Sequence, residues 1–205
     1  MPRITAERRA ANRAQIVAAA RRCFSRDGFH QTSMPDIAAE AGVSVGAPYR
    51  YFAGKEELML EVAGDAFRMM FDPVERLLDV PGELTVAGLI RASIEPVSGA
   101  AVPIEELLRC AVQAWGELLR HEELRERAEV GFEGVRRRIA DALRHGQRAG
   151  SVPSELDPDR GARVVMALLH GFIVQRTAFG LTDATGFIRE VLVLLGDAGI
   201  LRNRP

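Results

Sequence analysis

GFHQTSMPDIAAEAGVSVGAPYRYFAGKEEL, from Gly28 to Leu58, decides how the chain is read. Within it, Ser33-Met-Pro-Asp36 has the makings of a helix start. The serine hydroxyl can accept from a free backbone N–H, the proline suits the first turn, and the acid suits the positive helix end. Ile37 and Ala38 then face inward, Gly42 breaks the helix and Val43 plugs the turn. Ser44 caps a second short helix, Phe52 anchors it to a core, and Gly54-Lys55 opens the next helix, with Leu58 and Val62 inward. Two short helices joined by a Gly-containing turn, followed by an aromatic-basic segment, have the layout of a helix-turn-helix. Its second helix is built to lie in a DNA major groove.

Outward from this stretch, apolar residues recur at helical rather than alternating spacing. A first helix is predicted from about Ala10 to Arg26, with Ile16, Ala20, Cys23 and Phe24 on one face and Gly28 placed to stop it. Further helices are predicted near 55–78, 84–97, 103–120, 123–149, 158–180 and 184–198. Pro81-Gly82, Gly99 to Pro103, Gly150 to Pro158 and Gly180 to Ala184 supply the breaks. The expected fold class is all-α with about nine helices. A three-helix DNA-binding domain is expected over residues 1–55, and a larger helical domain over 56–205.

Charge is divided unevenly along the chain. Residues 1–55 carry nine basic and four acidic side chains, net +5, and the remainder carries 18 basic and 24 acidic. A positive end on a negative body favours polyanion binding at one end only. Cys23 and Cys110 both fall at apolar helix positions, as buried reduced thiols of a cytoplasmic protein do. No signal peptide is expected, because Arg3, Arg8, Arg9 and Arg13 are followed by an amphipathic stretch. The longest apolar run, 164–181, is interrupted by His170, Gln175 and Arg176, which suits a buried helix and no membrane span.

Catalysis finds little support. His121-Glu122-Glu123 begins like a metalloprotease helix but lacks the second histidine, and Asp157-Pro-Asp159 reads as a helix-start turn. No nucleophile elbow, phosphate loop or metal spacing appears, so no catalytic residue, metal or cofactor is expected.

The DNA reading can be taken residue by residue. A helix beginning at Ser44 presents Val45, Gly46 and Ala47 to base edges, where they can touch thymine methyls or let the backbone come close. Bidentate readout falls to Arg50, with Tyr49 or the start of the preceding helix at Ser33 as other sources of hydrogen bonds. Lys55, the only lysine, stands at a helix N-terminus where the dipole opposes it, a cost that a nearby phosphate would offset. Pro48 deletes the first intrahelical hydrogen bond, so an irregular first turn or a later helix start is expected.

At this point the residues carry a resemblance. The pattern T-S-M-x-x-I-A-x-x-A-G-V-S-x-G-x-x-Y-x-Y-F-x-x-K-x-x-L, Thr32 to Leu58, resembles the N-terminal domain of TetR-family (tetracycline-repressor-like) transcriptional regulators, and Ile16, Phe24 and Gly28 fit as well. The match covers roughly the first 60 residues. It implies a homodimer on a palindromic operator in double-stranded DNA, most often a repressor released by a small ligand. Tyr49 and Lys55 match the family positions that hold phosphates, with Thr32 and Tyr51 as further contacts.

The resemblance implies that the body beyond, residues 56–205, is a ligand-binding and dimerisation domain, and this body carries apolar stripes. We expect Phe67, Met70, Phe71, Trp115 and Phe172 to line a pocket for a small hydrophobic molecule, with Arg109, Gln113 and His170 as polar anchors. Val165, Leu169, Ile173, Phe187, Val191, Leu194 and Leu195 exceed what one face can bury, and are expected in a four-helix dimer interface. A TetR-like regulator without a ligand and a helical adaptor are the alternatives. The adaptor would not need the aromatic-basic register from Tyr49 to Lys55.

Overall fold

A computed structural model of the chain describes residues 6–78, 85–98 and 102–197. Among these residues it contains eight α-helices and two 3-10 turns, and no strand. The helices are α1 (Ala6–Asp27), α2 (Met34–Glu40), α3 (Lys55–Leu78), α4 (Val86–Ile94), α5 (Val102–Leu118), α6 (Glu122–Arg148), α7 (Pro158–Phe179) and α8 (Ala184–Asp197). The all-α expectation and the helix positions are met, with one exception. The second short helix of the helix-turn-helix is only a 3-10 turn, Pro48–Arg50.

Local chemistry sets the helix ends. Gly28, Gly42 and Gly180 take positive φ (85°, 64° and 73°), where a side chain would be strained, and each closes a helix. Ser33 caps α2 in a reciprocal box with Asp36, and Pro35 occupies the first turn. Asp157 caps α7 by accepting from the Asp159 and Arg160 amides.

The chain packs as two compact units: Met1–Ala66 with Ala101–Ala128, and Phe67–Ala100 with Glu129–Pro205. In the first, α1 packs on α2 and α5 around Ile16, Phe24, Ile37, Leu58 and Met59, all buried. Residues 101–128 share this unit because α5 is tied to α1. Arg21 pairs with Glu106 at 3.1 Å, and the Cys110 thiol donates to the Arg21 carbonyl. Burial pushes that thiol up to about 12, so it stays protonated and unreactive at neutral pH.

In the second unit α4 packs on α7 and α8, and the rings of Phe172 and Phe187 meet at 5.0 Å. Gly161 lets α7 approach closely, since a Cβ there would lie 3.1 Å from Leu143. A charge network joins α6 to the start of α7: Arg136 bonds both Glu133 and Asp159, and Arg144 bonds Asp159 and Asp141. Hydrogen bonds from Arg136 hold the Glu133 and Asp159 carboxyls below the usual carboxylate range. No helix among the described residues is long and apolar enough to cross a membrane.

Carboxylates with lowered folded values stabilise the fold above their unfolded values, near pH 4, and lose that contribution as pH falls through the folded ones. Arg136→Gln is therefore expected to lower Tm at pH 7. Most of the difference from the parent should vanish between about pH 4 and pH 2. Thermal scans across this range test it, and a difference independent of pH would assign Arg136 a packing role alone.

Candidate nucleic-acid interface

The segment after Gly42 is a run of tight turns. Ala47 donates to the Ser44 carbonyl (2.8 Å), Arg50 to Ala47 (3.2 Å), and Tyr51 and Phe52 both to Pro48 (3.0 and 3.1 Å). Pro48 has no N–H to give Ser44, so the helical bond that Ser44 should receive is missing. Ser44 is therefore the acceptor of a tight turn rather than a helix cap. The irregularity expected from Pro48 is present and extends through the whole recognition element.

Val45, Gly46, Tyr49 and Arg50 are exposed, Ala47 and Tyr51 half-buried, and Pro48 and Phe52 buried. One contiguous run thus presents an apolar group, a bare backbone, a phenol and a guanidinium to solvent. A Cβ at Gly46 would meet nothing within 4 Å, so no packing demand explains this glycine. Behind the run, Phe52 is covered by the Arg13 guanidinium at 4.9 Å, itself paired with Glu61 at 2.9 Å.

Three residues expected to touch DNA are used inside the fold. Thr32 is buried and its hydroxyl donates to the Gly28 carbonyl at 2.8 Å. The Ser33 hydroxyl is engaged in the cap of α2. Lys55 Nζ donates to the carbonyls of Phe29 (3.0 Å) and Thr32 (3.2 Å) and lies 4.5 Å from the centroid of the Phe29 ring. The cost of a cation at a helix N-terminus is met by two carbonyls and an aromatic face, without a phosphate.

Gln113, expected as a ligand anchor, uses both ends of its amide on this same segment. Its Oε1 accepts from the Phe29 N–H, and its Nε2 donates to the Phe24 carbonyl, each at 3.0 Å. One turn further along α5, Glu117 is buried with its side chain only 8% exposed, between His30 and His121. Sequence reasoning missed this cluster. Its only signal was a pair of polar residues, four apart, on an otherwise apolar helix face.

The other expected residues are distributed as follows. Arg109 is exposed and Trp115 half-buried in the first unit, while Phe172 is fully buried in the second. His170, also in the second, stacks on Phe132 at 5.9 Å, and burial lowers its pKa. The side chains of Phe67, Met70 and Phe71 lie outside the described residues. Val165, Leu169, Ile173 and Val191 are buried within their own unit, so they have no surface left for a second chain. Phe187 and Leu195 are half-buried, and Leu194 is 70% exposed. The apolar residues that do reach solvent on α7 and α8 are Val164, Phe179, Val193 and Leu194. The stripe is offset because α4 covers the face that was expected to be free. A cleft of about 350 Å³ lies in this unit, walled by Val86, Ile90, Leu143, Leu156, Leu168 and Leu195.

Comparison with known proteins agrees with this geometry. A sequence model described as bacterial regulatory proteins, tetR family, matches residues 16–62, and one described as BetI-type transcriptional repressor, C-terminal, matches residues 97–192. The chain is 30% identical over 181 residues to the HTH-type transcriptional regulator TtgR of Pseudomonas putida, covering 84% of this chain and 83% of that one. Among solved structures, the fatty acid degradation regulator FadR of Bacillus halodurans superposes with a TM-score of 0.76 at 22% identity, over 94% of this chain and 97% of that one. SmeT of Stenotrophomonas maltophilia, in its triclosan complex, gives 0.69 at 23% identity, over 94% and 93%.

The internal use of Lys55 is open to test. Lys55→Met keeps most of the stem and removes two charge-assisted hydrogen bonds, so urea unfolding should show a loss of about 1–3 kcal/mol. Unchanged stability would mean that the ammonium supports nothing within the fold.

Proposed function

The chain belongs to the TetR family of bacterial transcriptional regulators, and from that premise we propose that it is a homodimeric repressor that leaves a palindromic operator when a small apolar molecule binds. The observation that carries this reading is the exposed run Val45 to Arg50, held from behind by fully engaged side chains. Arg50 is the bidentate base reader, Val45 and Gly46 approach the groove wall, and Tyr49 bonds a phosphate. Lys55 fixes the backbone of the reading head. Two heads set about 34 Å apart would meet successive major grooves on one face of the duplex.

Dimerisation is assigned to the outer faces of α7 and α8. Phe179 and Leu194, 80% and 70% exposed, with Val164 and Val193, make an apolar surface suited to a four-helix contact. The ligand is assigned to the cleft between α4, α6, α7 and α8, whose volume of about 350 Å³ is that of a small-molecule pocket. The triclosan complex of SmeT supports an apolar occupant. Val164 and Leu168 line this cleft and belong to the outer part of α7, so an occupant touches residues beside those that set subunit spacing. The ligand releases DNA only to the extent that it prefers the wrongly spaced conformer, typically by ~1–3 kcal/mol.

Leu194→Glu, at an exposed position, should leave the monomer folded but shift sedimentation toward the monomer and abolish operator binding. Retention of a dimer would move the interface elsewhere. In the parent, operator affinity should fall steeply with salt, and Arg50→Ala should alter base preference at one position of each half-site. An Arg50→Ala protein selecting the same sequence would reassign that residue to the backbone.

Leu156→Trp fills the cleft from a loop outside α7 and α8. It should block ligand-induced release while changing operator affinity less than threefold. Undiminished release by the same ligand would place the site elsewhere.

A further inference from the structure

We propose that the occupant of the cleft between α4, α6, α7 and α8 is an aliphatic amphiphile with one cationic head, and that Glu155 selects for that charge. The proposal rests on the reading of this cleft as the ligand site. Its walls are aliphatic: no aromatic side chain is among the described residues that line it, so nothing there stacks on a planar ring. Every charged residue of the lining falls between positions 155 and 160, in the loop before α7 and the first turn of that helix. From Arg160 to Leu168 the helix advances roughly 12 Å at about 1.5 Å per residue, and its lining changes from charged to wholly apolar. One end of the cleft is suited to a charged group and the rest to a hydrocarbon chain.

The sign of the head follows from which charges at that end are already used. Asp157 Oδ1 accepts from the Asp159 and Arg160 amides at 2.9 and 3.0 Å, so the positive end of α7 is met by a carboxylate of the chain itself. Asp157 Oδ2 lies 3.9 Å from Arg160 Nε and offsets the one guanidinium of the lining. Asp159, in the same turn, is engaged by Arg136 and Arg144. Glu155 is exposed and pairs with no cation among the described residues. Two carboxylates against one guanidinium leave the mouth net negative. An ammonium beside Glu155 gains an ion pair, whereas a carboxylate there meets like charge.

The loop that carries Glu155 is held in place from α6. Gln147 Nε2 donates to the carbonyls of Pro153 (2.9 Å) and Leu156 (2.7 Å), and the Ser151 and Val152 amides donate to the Gly146 carbonyl at 2.9 and 3.2 Å. Leu156, between Glu155 and Asp157, lines the cleft and lies against Gly161. The position of Glu155 at the mouth is therefore set by the fold before a ligand arrives, and the head group meets a charge on an ordered loop.

A solvated carboxylate contributes little to total affinity, most of which comes from burying the chain against the aliphatic walls. Its effect is on choice. Between amphiphiles of equal chain length, an exposed ion pair is worth about two- to fivefold, and less in high salt.

The test titrates the full chain calorimetrically with decylamine, decanol and decanoate at neutral pH, each below its aggregation concentration. Decylamine should bind most tightly and decanoate least. Glu155→Gln should weaken decylamine by about two- to fivefold, leave decanol unchanged and tighten decanoate. Arg160→Gln, at a side chain 89% exposed, should widen the amine's advantage. Added salt should shrink that advantage in the parent and leave decanol unaffected. Equal affinity for the three probes, or an amine-to-carboxylate ratio that survives Glu155→Gln, would overturn the selection by charge while the cleft stands. Binding of none of them, or binding unmoved by Leu156→Trp, would remove the cleft reading and the proposal with it.

Discussion

The peptide of Phe29 is bonded on both sides, and the reading head depends on it. Its N–H is taken by Gln113 of α5 and its carbonyl by Lys55 of α3, while the Phe29 ring packs on Phe24 of α1 at 5.6 Å. Three helices therefore meet on one residue of a short connection. Backbone groups at a helix C-terminus are otherwise orphaned, and leaving them buried without partners would cost roughly as much as the hydrogen bonds themselves. Here side chains from helices distant in sequence complete them, and α2 is aimed as a consequence. The entry into α2 is then closed by local means, through the Ser33–Asp36 box.

With the support fixed, the reading element has no need to be a regular helix. Pro48 is buried and gives the segment its shape by removing a donor, and the surrounding bonds are those of successive tight turns. A run of this kind holds its exposed residues by the backbone rather than by a packed face. Small side chains such as Val45 and Ala47 need no packed face to hold them there, and in this run Arg50 is the side chain whose guanidinium can make two parallel hydrogen bonds. Electrostatics separate in the same way. Arg13, Arg21, Arg22 and Arg26 are paired with Glu61, Glu106, Glu40 and Asp27, so part of the N-terminal positive charge is spent within the fold.

In the second unit the governing constraint is that α7 is apolar on more than one face. Gly161 lets it approach α6 closely, α4 packs against it, and Val165, Leu169 and Ile173 are buried. On its outer side Val164 and Phe179 reach solvent, 55% and 80% exposed.

Helix limits were legible in the sequence because they are set by nearby backbone chemistry. Gly28, Gly42 and Gly180 at positive φ, the caps at Ser33 and Asp157, and the missing donor of Pro48 each act within a few residues of themselves. The helical period likewise gave the all-α class and the register of the helix-turn-helix. Only tertiary structure decided which polar side chains are consumed internally. Thr32, Lys55 and Gln113 look like binding groups in one dimension, and their partners are carbonyls or amides whose identity depends on how helices far apart in sequence pack. It also decided which stripe of α7 turns outward, because periodicity counts apolar residues but cannot say which of two apolar faces α4 will cover.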